Sequence, residues 1–253
     1  MSRVQVSRCF TLVIAMLAAC SAVRAEISLT FCYDPYPPYT LGTGDTPEGG
    51  LAIEVLDAVT ARIDGVSAKA VLMPWKRCQE EARAGRVDGI LPLSKSDERS
   101  EYLGFSDGVF REVALFWYLP ARYPNGHPWS GDFRDVASLK LAMLNGGHID
   151  DEMQRTFSRV RQIDRADDVR GLFSMLKFGR VDMVAFDGLV GAYHLERFGW
   201  AEDVRPLDPP ISSQESHFGL SKASGADVHL PAFNAALAEL HAAGEIEAIY
   251  SGR

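Results

Sequence analysis

Residues 85–88 read Gly-Arg-Val-Asp, and the same four residues stand again at positions 179–182. Each copy follows a run whose apolar residues recur at helical spacing, and each leads into an apolar segment typical of a buried strand. The glycine suits the left-handed position that ends a helix. The copies lie 94 positions apart, which is too far for a solenoid repeat and right for two similar α/β units, one in each half of the chain.

The segments around the first copy alternate between strand and helix. Residues 27–31 alternate as a strand does, residues 51–63 carry apolar side chains at helical spacing, and residues 66–73 form a second strand. A second helix over 74–84 and a third strand over 87–91 complete the unit. This order predicts an α/β fold with parallel pairing and right-handed crossovers.

The second copy has the same surroundings. The spacing predicts a helix over 169–176 and a strand over 181–186, while a strand over 139–144 leads through a turn into a helix that begins at Ile149. In parallel sheets ligands bind beyond the carboxyl ends of the strands, and two facing units form a cleft there. The residues that follow the strands are therefore the candidate binding residues.

Polar side chains follow the last strand of each unit. Ser94, Ser96 and Arg99 come after the strand of the first unit, and Asp187 comes after the matching strand of the second. A guanidinium with hydroxyls on one wall and a carboxylate on the other suits a ligand with both charges, such as a free α-amino acid. Two alternatives stay open: Arg99 as a solvated surface residue, and Asp187 as the cap of a helix that begins at Gly188.

Residues 1–25 have the pattern of a secretory signal. Two arginines precede an apolar run over 9–20, which is too short to span a bilayer, and small residues precede a cleavage point after Ala25. The Leu-Ala-Ala-Cys sequence at 17–20 offers a rival cut, because it resembles a lipobox that would make Cys20 a lipidated N-terminus. We expect the soluble periplasmic form, since lipidation would leave a tether of only six residues before the first strand.

The mature chain is acidic and holds two cysteines. Removal of the signal takes away three arginines and no acidic residue, so the net charge changes from -8 to -11. This balance argues against nucleic acid and anionic membranes as partners. In an oxidising compartment Cys32 and Cys78 are expected to form one disulfide, with two unpaired buried cysteines as the alternative. No His stands at ligand spacing from either, so no metal site is predicted.

Five short motifs are specific when they are taken together. They are an aromatic Pro-Pro segment, a hydroxyl-rich loop that ends in arginine, a Phe-Ser step, a Gly-Gly turn and a Phe-Asp pair, at residues 34–39, 94–99, 105–107, 144–147 and 186–187. With the helix-to-strand spacing over 74–90, they resemble the periplasmic polar-amino-acid-binding proteins of bacterial importers, solute-binding protein family 3. The resemblance covers nearly all of the mature chain.

The resemblance implies a periplasmic binding protein-like fold of type II, in which two α/β lobes close over a cleft. Lobe 1 would comprise residues 26–112 and 214–253, and lobe 2 would comprise residues 113–213. Two strands near 111–114 and 212–215 would form the hinge.

The resemblance also places a set of residues around the ligand: Tyr36, Trp75, Ser94, Arg99, Gly147 and Asp187. The guanidinium would bind the ligand carboxylate and the aspartate its ammonium, while the two rings would enclose its apolar stem. Where the family usually has Thr after the second-lobe glycine, this chain has Gly147, whose backbone N–H would serve instead.

We therefore expect a monomeric extracytoplasmic solute-binding protein, without cofactor or catalytic activity, that delivers an amino acid-like ligand to the membrane permease of an ABC importer. Two other functions stay open. A periplasmic enzyme on the same fold, such as a dehydratase, would need a general acid in the cleft, for which Glu215 and His148 are the candidates. A ligand-sensing lipoprotein would use the lipobox at residues 17–20.

Overall fold

The computed structural model describes residues 26–127, 129–145 and 162–251, so the predicted signal lies outside the described residues. The strands are β1 Ile27–Tyr33, β2 Leu41–Thr43, β3 Thr46–Gly49, β4 Val66–Leu72, β5 Gly89–Ser94, β6 Leu103–Phe105, β7 Phe110–Tyr118, β8 Lys140–Leu144, β9 Gln162–Ala166, β10 Met183–Asp187 and β11 Arg205–Ser221. The helices are α1 Leu51–Thr60, α2 Trp75–Arg83, α3 Asp97–Ser100, α4 Val169–Lys177, α5 Gly188–Phe198, α6 Leu230–Ala242 and α7 Glu245–Ser251.

Nine of the described strands form one mixed sheet in the order β4-β1-β5-β11-β7-β10-β8-β9, with β6 paired to β11. At one end, β1 runs parallel to β4 and β5; at the other, β8 runs parallel to β9 and β10. The antiparallel pair β7 and β11 joins these two groups. The predicted α/β fold is confirmed, with a parallel group from each half of the chain.

The repeated Gly-Arg-Val-Asp sequence makes the same turn in both units. Gly85 and Gly179 have φ angles of +69° and +73°, a left-handed conformation that ends a helix and favours glycine. Asp88 then accepts a hydrogen bond of 2.8 Å from a backbone N–H of β1, and Asp182 accepts one of 2.9 Å from a backbone N–H of β8. The repeat therefore ends a helix and ties the next strand to its parallel neighbour.

Alternate side chains of the central strands enter cores on opposite faces of the sheet. In β1, Phe31 packs with α1 and α6, whereas Cys32 packs with α2. In β10, Val184 packs with α4, whereas Met183 and Ala185 belong to the core on the other face. Because both faces are covered, these strands read as nearly continuous apolar runs.

Cys32 and Cys78 form a disulfide, with their Cα atoms 5.6 Å apart. The bridge joins β1 to the first turns of α2, and both residues are fully buried. The predicted pairing is confirmed, and the alternative of two unpaired cysteines is wrong.

Two element boundaries differ from the sequence predictions by three residues. The strand predicted over 87–91 is β5, which continues through Pro92 to Ser94. Its register with β11 is irregular at this point, so the missing N–H of proline falls outside the paired residues. The helix α1 ends at Thr60 rather than at Ile63. After Thr60 the backbone N–H groups of Arg62 and Ile63 donate to carbonyl oxygens three residues earlier, not four as in an α-helix. The helix predicted from Ile149 lies outside the described residues.

Within the described ranges, no helix has both the length and the hydropathy to cross a membrane. In the same part of the chain, no three His, Cys, Asp or Glu side chains are grouped as metal ligands.

Candidate ligand-binding site

A cavity of about 340 Å³ lies where the carboxyl ends of the parallel strands from the two units approach each other. This volume falls within the roughly 300–1,000 Å³ of small-molecule sites. Its lining includes most of the predicted ligand-binding residues, namely Tyr36, Trp75, Ser94, Arg99 and Asp187. Gly147 and His148 lie outside the described residues.

Arg99 presents a half-buried guanidinium to the cavity. Its Nη1 donates hydrogen bonds of 2.7 and 2.9 Å to the carbonyl and hydroxyl oxygens of Ser94. The ring of Trp75 lies 5.2 Å from its Cζ, a distance that suits a cation–π contact. Burial lowers the pKa of Arg99 from its ordinary value, but an arginine stays protonated at neutral pH. The site thus holds a cation in one orientation.

Asp187 combines the two roles that its sequence position suggests. Its Oδ1 accepts a hydrogen bond of 2.8 Å from the backbone N–H of Val190 and so caps α5. The same side chain lines the cavity, where burial raises its pKa to about 6. At pH 7 the carboxylate is therefore mainly ionised.

Two aromatic rings line the wall formed by the first unit. Tyr36 follows β1 and stacks on Tyr39, with ring centroids 5.5 Å apart and planes 14° apart. Trp75 is the first residue of α2, after Pro74. Burial raises the pKa of the Tyr36 phenol, and the negative charge of Asp187 raises it further. This hydroxyl group is therefore neutral at physiological pH.

The floor of the cavity contains residues that the sequence analysis did not identify. Glu112 stands opposite Gln214, and Ala114 stands opposite Ser212, in the pairing of β7 with β11. Gln214 Nε2 donates a hydrogen bond of 3.4 Å to Glu112 Oε2. Burial, together with the charge of Asp187, raises the pKa of Glu112 to about 7. Residues two apart in a strand, as Glu112 and Ala114 are, place their side chains on the same face of the sheet. This alternation was the signal by which the sequence could have identified the floor residues.

The cavity contains more negative than positive groups. Asp34, Glu112 and Asp187 are the carboxyl residues of its described lining, and Arg99 is the cation there. None of the four forms an ion pair with another described residue. The cavity therefore offers charges of both signs to a ligand.

Glu215, one of the general-acid candidates, is placed elsewhere. It lines a second cavity together with His241 and Tyr250, and its carboxylate lies 4.0 Å from Arg111 Nη2. In the candidate site, Glu112 is the carboxyl group whose pKa is raised to about 7.

The fold is similar to that of solved proteins at low sequence identity. The substrate-binding domain 2 of Lactococcus lactis GlnP, in an open conformation, has a TM-score of 0.67 and 18% identity, covering 88% of this chain and 93% of its own. A histidine kinase sensor domain with similarity to periplasmic binding proteins has a TM-score of 0.68 and 19% identity, over 90% and 96%. An ancestral amino acid-binding protein, a precursor of cyclohexadienyl dehydratase, has a TM-score of 0.64 and 18% identity, over 96% and 98%.

A comparison of the sequence with curated proteins finds no match. Among protein-family models, the one described as bacterial extracellular solute-binding proteins, family 3, matches residues 29–252, which is almost the whole described chain. The architecture agrees with that match, because two parallel groups joined by an antiparallel pair enclose a cavity at their carboxyl ends. The chain belongs to the bacterial extracellular solute-binding proteins of family 3.

Proposed function

We propose that this protein is a periplasmic, monomeric solute-binding protein that captures an amino acid-like ligand and delivers it to the permease of an ABC importer. The observation that carries the proposal is the placement of Arg99 and Asp187 in one cavity, one from each parallel group. A guanidinium binds a carboxylate by paired hydrogen bonds, and a carboxylate binds an ammonium group. The two charges therefore match the two ends of an α-amino acid.

The predicted lobes explain how both charges reach one ligand. In this proposal lobe 1 is residues 26–112 and 214–253, lobe 2 is residues 113–213, and the parts of β7 and β11 near 111–114 and 212–215 are the hinge. The pairing of β7 with β11 is irregular between Leu207 and Ser212, next to this hinge, and such an irregularity bends a strand. The closed state is favoured by the ligand because only that state engages Arg99 and Asp187 together.

The structural neighbours support transport and keep two alternatives open. The GlnP domain is a substrate-binding domain, whereas another neighbour senses for a histidine kinase and a third is a dehydratase precursor. An enzyme would use Glu112 as its general acid, since the pKa of this residue lies near 7 inside the cavity. We propose binding without catalysis because Arg99 and Asp187 are placed to hold the two charges of a zwitterion.

The proposal is tested first by native mass spectrometry of protein purified from bacterial cells, followed by calorimetry with the free amino acids. We expect a bound species with the mass of an amino acid or a close analogue. Failure of every amino acid to bind would contradict the proposal.

Two further measurements separate the alternatives. Incubation with small carboxylic acids and a search for products tests the enzyme, since a binding protein returns its ligand unchanged. The mass of the mature N-terminus tests the lipoprotein, because lipidation at Cys20 and cleavage after Ala25 leave different chains.

A further inference from the structure

Glu112 lies on the floor of the cavity, on one of the two strands that join the parallel groups. Its partner across the strands is Gln214, whose amide donates the hydrogen bond of 3.4 Å described above. This contact is long and neutral, so it does not balance the charge of the carboxylate.

The groups around Glu112 do not balance its charge either. The titratable groups near it from other elements are Asp187 at the end of β10, Tyr36 and Tyr39 after β1, and Tyr250 in α7. Its neighbour in β7, Arg111, points to the opposite face, where it lies 4.0 Å from Glu215. Among the residues that the structure describes, no cation pairs with Glu112.

A simple zwitterion leaves this cavity with an excess of negative charge. Its carboxylate would neutralise Arg99 and its ammonium would neutralise Asp187, but Asp34 and Glu112 would have no cation. Burying an ionised carboxyl group without a partner is unfavourable. The cost of ionisation is larger for Glu112 than for Asp34. Burial raises the pKa of both residues, and the negative charge of Asp187 raises the pKa of Glu112 further.

We infer that Glu112 is a specificity-determining residue that binds a second positive group of the ligand, so the ligand is an α-amino acid with a basic side chain. The inference rests on the proposed function and adds the ligand class to it. A side-chain ammonium or guanidinium at this place would lie near Asp187 as well as Glu112. The amide oxygen of Gln214 is a further acceptor for its N–H groups.

The experiment compares basic amino acids with uncharged analogues of similar shape. Calorimetry at pH 8 measures lysine against norleucine, which lacks the side-chain ammonium, and arginine against citrulline, which lacks the guanidinium charge. We expect the wild-type protein to prefer at least one basic member over its analogue by about 30-fold, the size of one charge-assisted hydrogen bond. In Glu112→Gln the preference should fall to within a few-fold.

Glu215→Gln is the matched control, because it removes the same charge from the other face of the neighbouring strand. It should keep the wild-type preference. Asp34→Asn removes another carboxylate of the cavity and tests whether that residue, rather than Glu112, sets the preference. Circular dichroism confirms that each variant is folded, and the wild-type comparison tests the inference even if a variant is not.

Each outcome has a defined meaning. If norleucine and citrulline bind as tightly as lysine and arginine, amino acid binding stands and the inference is overturned. It is also overturned if Glu112→Gln keeps the preference, or if Asp34→Asn rather than Glu112→Gln abolishes it. If 1,5-diaminopentane binds as tightly as lysine and this binding depends on Glu112, the second-cation site is supported and carboxylate capture by Arg99 is not. If no amino acid binds, both proposals fail.

Discussion

Arg99 is held in position before a ligand arrives, because its Nη1 donates to two oxygens of Ser94. A guanidinium held in this way loses little conformational entropy when it binds a carboxylate. We expect Arg99→Ala to weaken binding of the native amino acid by about a hundredfold or more, because the ligand carboxylate would be buried without its partner. Calorimetry measures the loss.

Arg122→Ala is the control for this prediction. Arg122 pairs with Asp182 at 3.1 Å, and neither residue lines the cavity, so its removal should leave the affinity unchanged. Binding by Arg99→Ala within a few-fold of the wild type would identify Arg99 as a surface charge.

Asp187→Asn separates charge from helix capping. Asparagine can still accept the hydrogen bond from Val190, so the cap of α5 is kept while the charge is lost. We expect binding of the amino acid to weaken by about 2 kcal/mol or more, and binding of the matching acid without its amino group to weaken far less. Calorimetry with both ligands and both proteins measures the difference between the two losses. Equal losses would indicate damage to the fold around α5, and no loss would remove Asp187 from the site.

Glu112 is expected to make the stability of the ligand-free protein depend on pH. Its pKa is about 7 in the folded protein against an ordinary value of 4.5, so the folded state holds its proton more tightly. The free energy of unfolding should therefore decrease as the pH rises from 4.5 to 7 and level off above that range. Asp187, whose pKa is also raised, contributes with the same sign.

Glu112→Gln isolates this contribution, since glutamine resembles the protonated acid. Near pH 4.5 the variant and the wild type should have similar stability. At pH 8 the variant should be more stable by about 3 kcal/mol, from the size of the pKa shift. Urea unfolding at the two pH values measures the difference, and a difference that does not change with pH would contradict the assignment.

At the scale of elements, the disulfide anchors α2, the helix that begins with Trp75, to β1. Cys32 and Cys78 close a loop with a sequence separation of 46 residues. On the chain-entropy account, such a loop stabilises the folded state by about 4 kcal/mol. We expect no reactive thiol in the denatured, non-reduced protein, and a lower unfolding temperature for Cys32→Ala/Cys78→Ala.

Thiol counting under denaturing conditions checks the bridge, and two reactive thiols would contradict it. The unfolding temperature of the reduced wild-type protein is the control for the double variant. If reduction and substitution lower that temperature by similar amounts, the loss comes from the missing bridge rather than from the new alanines.

At the scale of the whole molecule, ligand binding is expected to change the shape of the protein. The parallel groups are connected by β7 and β11, and the cluster around Cys32 and the cluster around Val184 each lie within one group. In the proposed hinge motion the two groups move as bodies and the connecting strands bend. Small-angle X-ray scattering should therefore show a smaller radius of gyration with ligand than without it. Arg99→Ala at the same ligand concentration should show no such decrease, and an unchanged wild-type radius would contradict closure.

Local patterns in the sequence determined the fold class and the charged residues on the two opposing walls of the site. The period of the apolar residues separates strands from helices, and the two Gly-Arg-Val-Asp copies mark equivalent helix ends because a left-handed turn favours glycine. Arg99 and Asp187 could be predicted as neighbours of the cavity, because each follows a strand whose carboxyl end faces it. The Cys32–Cys78 bridge followed from the count of cysteines that remain after the predicted signal.

Tertiary structure alone decided the floor of the cavity and the balance of its charge. Glu112 and Gln214 are 102 positions apart, and they meet only because β7 and β11 pair in one register. A shift of one residue would turn both side chains to the other face, and no local pattern specifies which register is formed. For the same reason the sequence directed attention to Glu215, which alternates away from the cavity, whereas Glu112 is the carboxyl group that long-range pairing buries beside Asp187.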